Sequence, residues 1–357
     1  MKIFRNFDWL LLAGVMILGT ASLVSLASSN IDLFWKQFYW YILALVMIFF
    51  GSRIDWRWLI SQFWFRYGFY AVTLLFLVVS NFQSRTIRGV KSWIVIGGFQ
   101  FEPAEFAKLA LIFLLAGFFS RRHIQAWLGK NIFISFIYAA IPTILIAIHP
   151  DFGSAAVVLG IWVGFIFLSG VNYKRLALGA AIAILGAVLL WVFFLKPYQK
   201  DRVVAFVGGE SDPLGINYNV IQSKIAIGSA GLLGKGFKQG TETQLKFLPE
   251  AQTDFLFAAF VEEWGLVGGV VVIAAFFLII SRIISIGLRA RANDEKFVIL
   301  GTALVFMAHF FINIGSNLGL MPVAGITFPF LSYGGSSLLT ASALISIIEH
   351  IQLEYTT

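Results

Sequence analysis

The sequence has no cysteine among its 357 residues. This absence excludes disulfides, thiolate metal sites, iron–sulfur clusters and a cysteine nucleophile. Charged residues are also scarce, because 18 acids and 26 bases make up only 12% of the chain, against roughly 25% in an average soluble domain. A soluble protein of this length needs a polar shell around its core, and so few charges cannot form one. A soluble enzyme is therefore excluded.

The chain is instead rich in apolar residues, with 59% hydrophobic residues, 38 Phe, 11 Trp and a mean hydropathy of +0.86. Phe suits packing in hydrocarbon, and Trp favours the two membrane interfaces. A net charge of +8 would suggest nucleic acid as the partner of a soluble protein. Here the basic residues lie between apolar runs rather than along one groove, so we predict membrane lipids as the surroundings and no nucleic-acid partner.

The apolar runs predict an all-α polytopic membrane protein that forms a single integral membrane domain over residues 1–357. About 20 apolar residues cross a bilayer core, and we count about ten such runs. The predicted spans are residues 9–28, 37–52, 68–81, 104–120, 131–149, 152–170, 176–196, 255–281, 297–318 and 335–352. A long extracytoplasmic loop, residues 197–254, precedes the eighth span.

The basic residues predict the orientation of the chain. With ten spans the connecting segments alternate sides, and one side carries Lys2, Arg5, Arg53, Arg57, Arg66, Arg121, Arg122, Lys130, Lys174, Arg175, Arg282, Arg289, Arg291 and Lys296. The short segments of the other side carry chiefly Lys36, Arg85, Arg88 and Lys91. By the positive-inside rule both termini are cytoplasmic, and segments 82–103, 197–254 and 319–334 face outward. Long ordered connections are usually functional, so we expect the site there.

Ionisable groups inside apolar runs are candidates for function, because each costs about 2.5 to 3.5 kcal/mol at mid-membrane on insertion scales. Glu105 and Lys108 are three residues apart, hence on one face of a helix. They form either an ion pair that fixes helix packing or part of a polar cavity open to the outside. Asp151 follows a His-Pro turn, where we expect it to cap the next helix, without excluding a second role.

Two adjacent acids, Glu262 and Glu263, follow Asp254 by about two turns of the same predicted helix. Adjacent positions cannot share a helix face, so at most one of the two is expected to point into a cavity. A polar contact to a neighbouring helix is the alternative for either.

His309, Asn313 and Asn317 recur at intervals of four and form a polar stripe on an apolar helix. Hydrogen bonds between helices, at about 0.6 kcal/mol each, explain such a stripe.

The sequence contains neither a phosphate-binding loop nor a zinc motif. Residues 228–236 read GSAGLLGKG, which differs from a phosphate loop in its spacing and in having Gly at the required Ser/Thr position. The four histidines lie far apart without an HExxH pattern, so a dedicated zinc site is not expected.

Five long stretches resemble the SEDS family, and its RodA branch in particular, over essentially the whole chain. They are GVKSWI from Gly89, FEPAEFAKL from Phe101, HPDFGSA from His149, the segment from Tyr218 to Gly265, and NIGSNLGLMPVAGITFPFLSYGGSS from Asn313. The form GTETQLKFLPE within the fourth favours RodA over FtsW.

The resemblance implies a glycosyltransferase that polymerises lipid II into peptidoglycan strands at the outer face of the bacterial cytoplasmic (inner) membrane, for cell elongation and rod shape. The essential acid of the family's LPE-x-x-TDF motif falls on Asp254. The acid and base of P-x-E-x-x-K fall on Glu105 and Lys108, and the tryptophan of K-x-W-I falls on Trp93. Glu102 departs from the usual Gln. The implied partners are a class B penicillin-binding protein, which is a transpeptidase, and elongation complex proteins.

The chemistry needs a base for the acceptor hydroxyl and a cation for the departing pyrophosphate. Asp254 is the expected base, with a helix N-cap as its alternative role. The residues expected to bind substrate or stabilise charge are Glu105, Lys108, Lys91, Trp93, Asp151 and Glu263. The cation is expected to be Lys108, Lys91, Arg85 or Arg88, or a Mg²⁺ or Mn²⁺ ion held by Asp254 and Glu105. Direct displacement of an α-linked pyrophosphate inverts the anomeric centre.

Three other functions stay open. A lipid II flippase would use Glu105, Lys108 and Glu263 as a polar path through the full membrane depth. An FtsW-type septal polymerase would share the chemistry, and a non-catalytic scaffold would tolerate the loss of Asp254.

Overall fold

The computed structural model describes residues 7–82, 93–96, 99–122, 129–149, 151–170, 200 and 217–356. Its helices are α1 Trp9–Ser29, α2 Ile31–Gly51, α3 Trp56–Ser61, α4 Phe63–Asn81, α5 Pro103–Ser120, α6 Gly129–Ile148, α7 Phe152–Leu168, α8 Tyr218–Ser229, α9 Thr241–Gln244, α10 Leu256–Arg289, α11 Asn293–Asn317 and α12 Gly335–Thr356. One short antiparallel hairpin joins α4 to α5, with β1 Ile94–Ile96 paired to β2 Phe99–Phe101. The predicted helical membrane fold is confirmed, and the hairpin is a small addition to it.

Eight of the described helices are long and apolar enough to cross a membrane: α1, α2, α4, α5, α6, α10, α11 and α12. Helix α7 is apolar but shorter, with 17 residues. Each of these helices coincides with a predicted span. The predicted span 176–196 lies outside the described residues. The chain is therefore a multi-pass membrane protein.

The bundle has two ends that can be told apart by their ionic contacts. At one end the main-chain N–H of Asp8 donates to the Glu349 carboxylate over 3.1 Å, and Arg282 donates to Asp8 over 2.6 Å. We call this the Asp8 end. Because α10 runs from Leu256 to Arg289, the residues that precede it lie at the opposite end, which we call the Asp254 end. The described parts of segments 82–103, 197–254 and 319–334 lie together at the Asp254 end. That this end faces outward stays a prediction.

Helix α5 is the centre of the bundle, since 16 of its 18 residues are buried. It packs against α4, α7, α11 and α12, and it is apolar on all sides because protein surrounds it. Stacked rings fill the space around its C-terminal part, where Phe119, Phe165 and Phe297 have ring centroids 5.8 to 6.3 Å apart. A charged side chain on α5 therefore meets protein rather than lipid.

Helix α10 breaks at Gly265, whose φ of 72° is open to glycine at little cost. The glycine-rich segment 231–236 fills the break with main-chain hydrogen bonds. Lys235 and Gly236 donate to the carbonyls of Glu262 and Glu263, and Leu266 and Val267 donate to those of Gly231 and Leu232, over 3.0 to 3.2 Å. A Cβ at Gly234 would lie 2.2 Å from the Glu263 carbonyl. The motif that resembles a phosphate loop thus serves close backbone packing.

Candidate functional site

Asp254 lies in the turn directly before α10. The helix begins at Leu256 with Phe255 in the N-cap position and no side-chain cap, so Asp254 is not the N-cap residue. Its main-chain carbonyl accepts hydrogen bonds from Asn313 Nδ2 over 3.0 Å and from Asn317 Nδ2 over 2.9 Å. Asp254 itself is partly exposed. Two amides from α11 therefore fix the backbone that carries this carboxylate.

The polar stripe of α11 ties three segments together. Besides Asp254, Asn313 donates to the Ile326 carbonyl over 2.8 Å, and Asn317 Oδ1 accepts from the main-chain N–H of Ala258 over 3.2 Å. Both asparagines are buried. The predicted hydrogen bonds between helices are confirmed, and their targets are main-chain groups around Asp254.

Segment 319–334 runs beside the Asp254 carboxylate. A Cβ built on Gly325 would lie 4.0 Å from Asp254 Oδ2, and Gly325 has a φ of 68°. The main-chain N–H of Tyr333 donates to the Gln252 carbonyl over 3.1 Å, which holds the segment against the turn. The left-handed backbone at position 325 therefore favours glycine directly beside this carboxylate.

Lys108 is the centre of a buried network one step deeper in the bundle. Its Nζ lies 2.8 Å from Glu105 Oε1 and 2.9 Å from His309 Nε2. His309 Nδ1 lies 3.0 Å from the Thr327 carbonyl, so Nδ1 carries the proton and Nε2 accepts from Lys108. Lys108 is only 1% exposed. The predicted ion pair is thus a three-residue network.

The same network borders a small cavity of about 20 Å³, with Glu105, Lys108, His309, Thr327 and Thr340 among its lining residues. The hydroxyls of Thr327 and Thr340 are buried and lack a hydrogen-bond partner in the described part of the chain. The cavity is large enough for a water molecule. The ion pair expected of Glu105 and Lys108 is present and borders this cavity. That the cavity opens to the outside stays a prediction.

Asp151 caps α7, because its Oδ1 accepts from the main-chain N–H of Ser154 over 3.0 Å. Burial raises the pKa of Asp151, whereas the bonds from Ser154 and the charge of Lys108 lower it. The predicted cap is confirmed, and Asp151 lies within electrostatic reach of the Lys108 network.

Glu102 precedes α5 at the same end. Burial raises the pKa of Glu102 well above its usual range; the charges of Glu105, Asp151 and Asp254 add to the rise, and Lys108 opposes it. These four carboxylates and one ammonium therefore share one electrostatic environment.

The remaining predicted residues are not part of the Lys108 network. Trp93 is partly exposed and directly precedes β1, at the Asp254 end. Lys91, Arg85 and Arg88 lie outside the described residues. Glu263 belongs to a separate network, in which its carboxylate accepts from Ser28 Oγ and, over 3.2 Å, from Gln244 Nε2.

The expectation that at most one of the two adjacent acids points into a cavity stays a prediction. Glu262 is buried as well. Its carboxylate lies 2.9 Å from Lys235 Nζ and accepts bonds from the main chain of Glu242 and Thr243 and from both the Thr241 and Thr243 hydroxyls. The two acids face the loop on different sides because the segment through α9 wraps this end of α10, just before the break at Gly265. Together they hold the loop at the Asp254 end.

A metal ion between Asp254 and Glu105 is not supported by the geometry. Glu105 is already neutralised by Lys108. In the part of the chain that the structure describes, neither acid belongs to a group of three ligand side chains whose atoms lie within 4.8 Å of one another. The residues present do not fit a metal site there.

The sequence missed His309 as the partner of Lys108, although His309 was part of the polar stripe. The two residues are 201 positions apart, and the stripe alone does not say which helix it faces.

Comparison with known proteins agrees with this architecture. The family model for FtsW, RodA and SpoVE, described as "Cell cycle protein", matches residues 2–357. Peptidoglycan glycosyltransferase MrdB of Escherichia coli K12 is 37% identical over 282 residues, which cover 79% of this chain and 76% of MrdB. Peptidoglycan glycosyltransferase RodA of Treponema pallidum is 29% identical over 97% of both chains.

Two solved structures are similar along nearly the whole chain. A chain from a peptidoglycan synthase complex that coordinates polymerization and crosslinking gives a TM-score of 0.80 at 32% identity, over 98% of both chains. The rod shape determining protein RodA of Thermus thermophilus gives 0.71 at 26% identity, over 97% of this chain and 96% of that one. By its sequence and its fold, this chain belongs to the FtsW/RodA/SpoVE family of cell cycle proteins.

Proposed function

We propose that this chain polymerises lipid II into glycan strands and that Asp254 is the general base of the reaction. Its relatives MrdB and RodA are named peptidoglycan glycosyltransferases, and the chain is an enzyme of this kind. The observation that carries the assignment of Asp254 is its placement. Its backbone is clamped by Asn313 and Asn317, and its carboxylate lies beside Gly325 at a partly exposed position.

The reaction joins a sugar hydroxyl of one lipid-linked chain to the anomeric carbon of another and expels undecaprenyl pyrophosphate. Asp254 takes the hydroxyl proton as the new bond forms, a contribution of about 10²- to 10⁴-fold in rate. No covalent intermediate is needed, so the α-linked donor gives a β-linked product. A fixed backbone favours this step because it holds the carboxylate at one distance from the acceptor.

Charge on the departing pyrophosphate has to be offset by cations. Lys108 is buried against Glu105 and His309. This placement suits a positioning role, in which its charge acts on the carboxylates around the site and not directly on the pyrophosphate. Lys91, Arg85 and Arg88 are the cations we assign to the pyrophosphate, together with exposed Lys224, whose Nζ would lie 3.1 Å from a Cβ on Gly319.

We assign the Asp254 end to the periplasm and both termini to the cytoplasm of a bacterial inner membrane, on the distribution of Lys and Arg. The absence of native cysteine offers a direct test. A single cysteine in place of exposed Lys246 is expected to react with a membrane-impermeant maleimide in intact cells. One in place of exposed Arg122 is expected to react only after lysis, and the opposite pattern would reverse the topology.

We assign the chain to the elongation role of RodA rather than the septal role of FtsW, on the GTETQLKFLPE segment and the similarity to MrdB. The partner we expect is a class B penicillin-binding protein within the elongation complex, since a similar chain occurs in a synthase complex that couples polymerization to crosslinking. Depletion of the protein should round the cells if it serves elongation, whereas filaments would indicate the septal role.

The deciding experiment supplies labelled lipid II to the purified protein and compares the wild type with Asp254→Ala. Polymer from the wild type alone supports the enzyme. Translocation without polymer would establish the flippase, and unchanged cell growth with Asp254→Ala would establish the scaffold. Asp32→Asn is the matched control, because it removes one exposed carboxylate at the same end of the bundle and should leave the rate unchanged.

A further inference from the structure

A second group of ionisable side chains lies at the Asp8 end, far from Asp254. Asp55 precedes α3, and His350 and Glu354 are one turn apart on α12. One ligand atom of each lies within 4.8 Å of the others. His350 Nε2 is 3.8 Å from Asp55 Oδ1 and 3.6 Å from Glu354 Oε1. Both distances are longer than a hydrogen bond.

The imidazole of His350 is fixed in position with Nε2 between these two carboxylates. The residue is 8% exposed. Its Nδ1 lies 3.1 Å from the Ser52 carbonyl, so Nδ1 carries a proton, and in the neutral ring Nε2 presents a lone pair. Nε2 is buried and has no hydrogen-bond partner in the described part of the chain. A histidine fixed through Nδ1 to a carbonyl, with Nε2 open, is the arrangement found in metal-ligating histidines.

A neighbouring contact holds each carboxylate beside His350, and Asp55 uses the same oxygen, Oδ1, for its helix cap and for its approach to Nε2. Asp55 Oδ1 accepts from the main-chain N–H of Trp58 over 2.8 Å, which fixes that carboxylate at the start of α3. Arg57 contacts Oε2 of Glu354 over 3.5 Å, so Oε1 is the oxygen nearest His350. The side chains of Asp55 and Glu354 are 64% and 35% exposed, which leaves room for water ligands and access from solvent.

The local charge also favours a cation. Arg57 lies 2.9 Å from Glu295 Oε1, so its charge is shared between Glu295 and Glu354. With His350 neutral, the three carboxylates and one guanidinium carry two net negative charges. One divalent ion would neutralise them.

We propose that Asp55, His350 and Glu354 form a binding site for a divalent first-row transition metal that ties α3 to α12. A ligand distance of about 2.1 Å in tetrahedral geometry separates ligand atoms by about 3.4 Å, and Nε2 lies 3.8 and 3.6 Å from the two carboxylates here. One imidazole and two carboxylates suit Zn²⁺, Co²⁺ or Mn²⁺, whereas Mg²⁺ and Ca²⁺ prefer oxygen ligands alone. The site joins residues almost the whole chain apart, which is why no sequence motif announced it.

The test uses the full-length protein in detergent after chelator treatment, with Co²⁺ and Zn²⁺ as probes. We expect one Co²⁺ per chain with visible absorption bands, displacement of Co²⁺ by Zn²⁺, and a higher Tm with either ion but not with Mg²⁺. Asp55→Asn and Glu354→Gln should each weaken Zn²⁺ binding at least tenfold. Neither change threatens the fold, because Asn caps a helix as well as Asp does and Glu354 is partly exposed.

Two control variants locate the ion. Asp294→Asn removes an acid at the same end outside the ligand set, and Asp254→Asn removes one at the opposite end. Both should bind Co²⁺ like the wild type. No saturable binding, or binding that survives Asp55→Asn and Glu354→Gln, would overturn the proposal. So would binding that is lost in Asp254→Asn, since the ion would then lie at the other end of the bundle.

Discussion

Asp254 and Glu262 lie eight residues apart around the start of α10, and the structure treats their carboxylates in different ways. Glu262 is fully buried, paired with Lys235, and accepts bonds from loop residues 241–243. At Asp254 the bonds from Asn313 and Asn317 reach the main-chain carbonyl rather than the carboxylate, and the residue is partly exposed.

The difference fits a structural role for Glu262 and the proposed reactive role for Asp254. A carboxylate whose oxygens are saturated by a loop stabilises that loop and has little capacity left to take up a proton. A carboxylate on a fixed backbone at a partly exposed position can meet a substrate without rearrangement of the main chain. We therefore expect substitution of Asp254 to lower the reaction rate and substitution of Glu262 to lower the stability of the protein.

The largest effect is expected from Asp254→Asn. Loss of the base should lower the polymerisation rate by about 10²- to 10⁴-fold, while Tm stays within a degree or two because no helix cap is removed. Turnover of labelled lipid II and thermal unfolding of the same sample check both parts. A large drop in Tm would place Asp254 with Glu262 among the structural acids.

Glu262→Ala should show the opposite pattern. Removal of this carboxylate leaves Lys235 and the main-chain donors of the loop unpaired, at a cost of about 3 kcal/mol in the free energy of unfolding. Proteolysis within the loop should accelerate, which limited digestion with gel readout would detect. If digestion and Tm are both unchanged, the loop is not held by Glu262.

Asn317→Ala tests whether the clamp on Asp254 matters for the reaction. The change removes bonds to Asp254 and Ala258 and should cost about 1 to 3 kcal/mol of stability. It should also lower kcat by about tenfold with little change in KM, since the base moves while the substrate contacts remain. A change confined to KM would assign Asn317 to substrate binding instead.

Glu102→Gln is expected to give the smallest effect, and one that depends on pH. Because the folded protein raises the pKa of Glu102, the unfolded chain loses this proton first as pH rises. The stability of the wild type therefore falls between the unfolded pKa near 4.5 and the higher folded value, and Gln removes this loss. Tm curves of the two proteins should meet near pH 4 and separate toward pH 8, with Glu102→Gln higher. Parallel curves would contradict a raised pKa.

The fold was largely predictable because hydrocarbon selects long apolar runs, and nine of the predicted spans coincide with described helices. The short hairpin and the break at Gly265 were not. Glycine is frequent throughout the chain, with 33 residues, so a single glycine in an apolar run does not announce a break. The glycines of segment 231–236 stand out in the sequence, but the sequence does not show that this segment pairs with the main chain around Gly265.

The site was predictable in its residues more than in its connections. Glu105 and Lys108 could be predicted because a charged group inside an apolar run has a high free-energy cost. Asp254 could be predicted from the family resemblance. Pairings between distant positions, such as Lys108 with His309, depend on which helices become neighbours, and spacing along the chain does not contain that information. The roles of Trp93 and Lys91 stay predictions.

The most direct test of Asp254 as the base is a pair of measurements on one Asp254→Asn sample, lipid II affinity and polymerisation rate. The two should separate, with Kd near that of the wild type and the rate lowered by about two orders of magnitude or more. A full rate with Asn at this position, or a rate lost only in proportion to lost binding, would contradict the assignment.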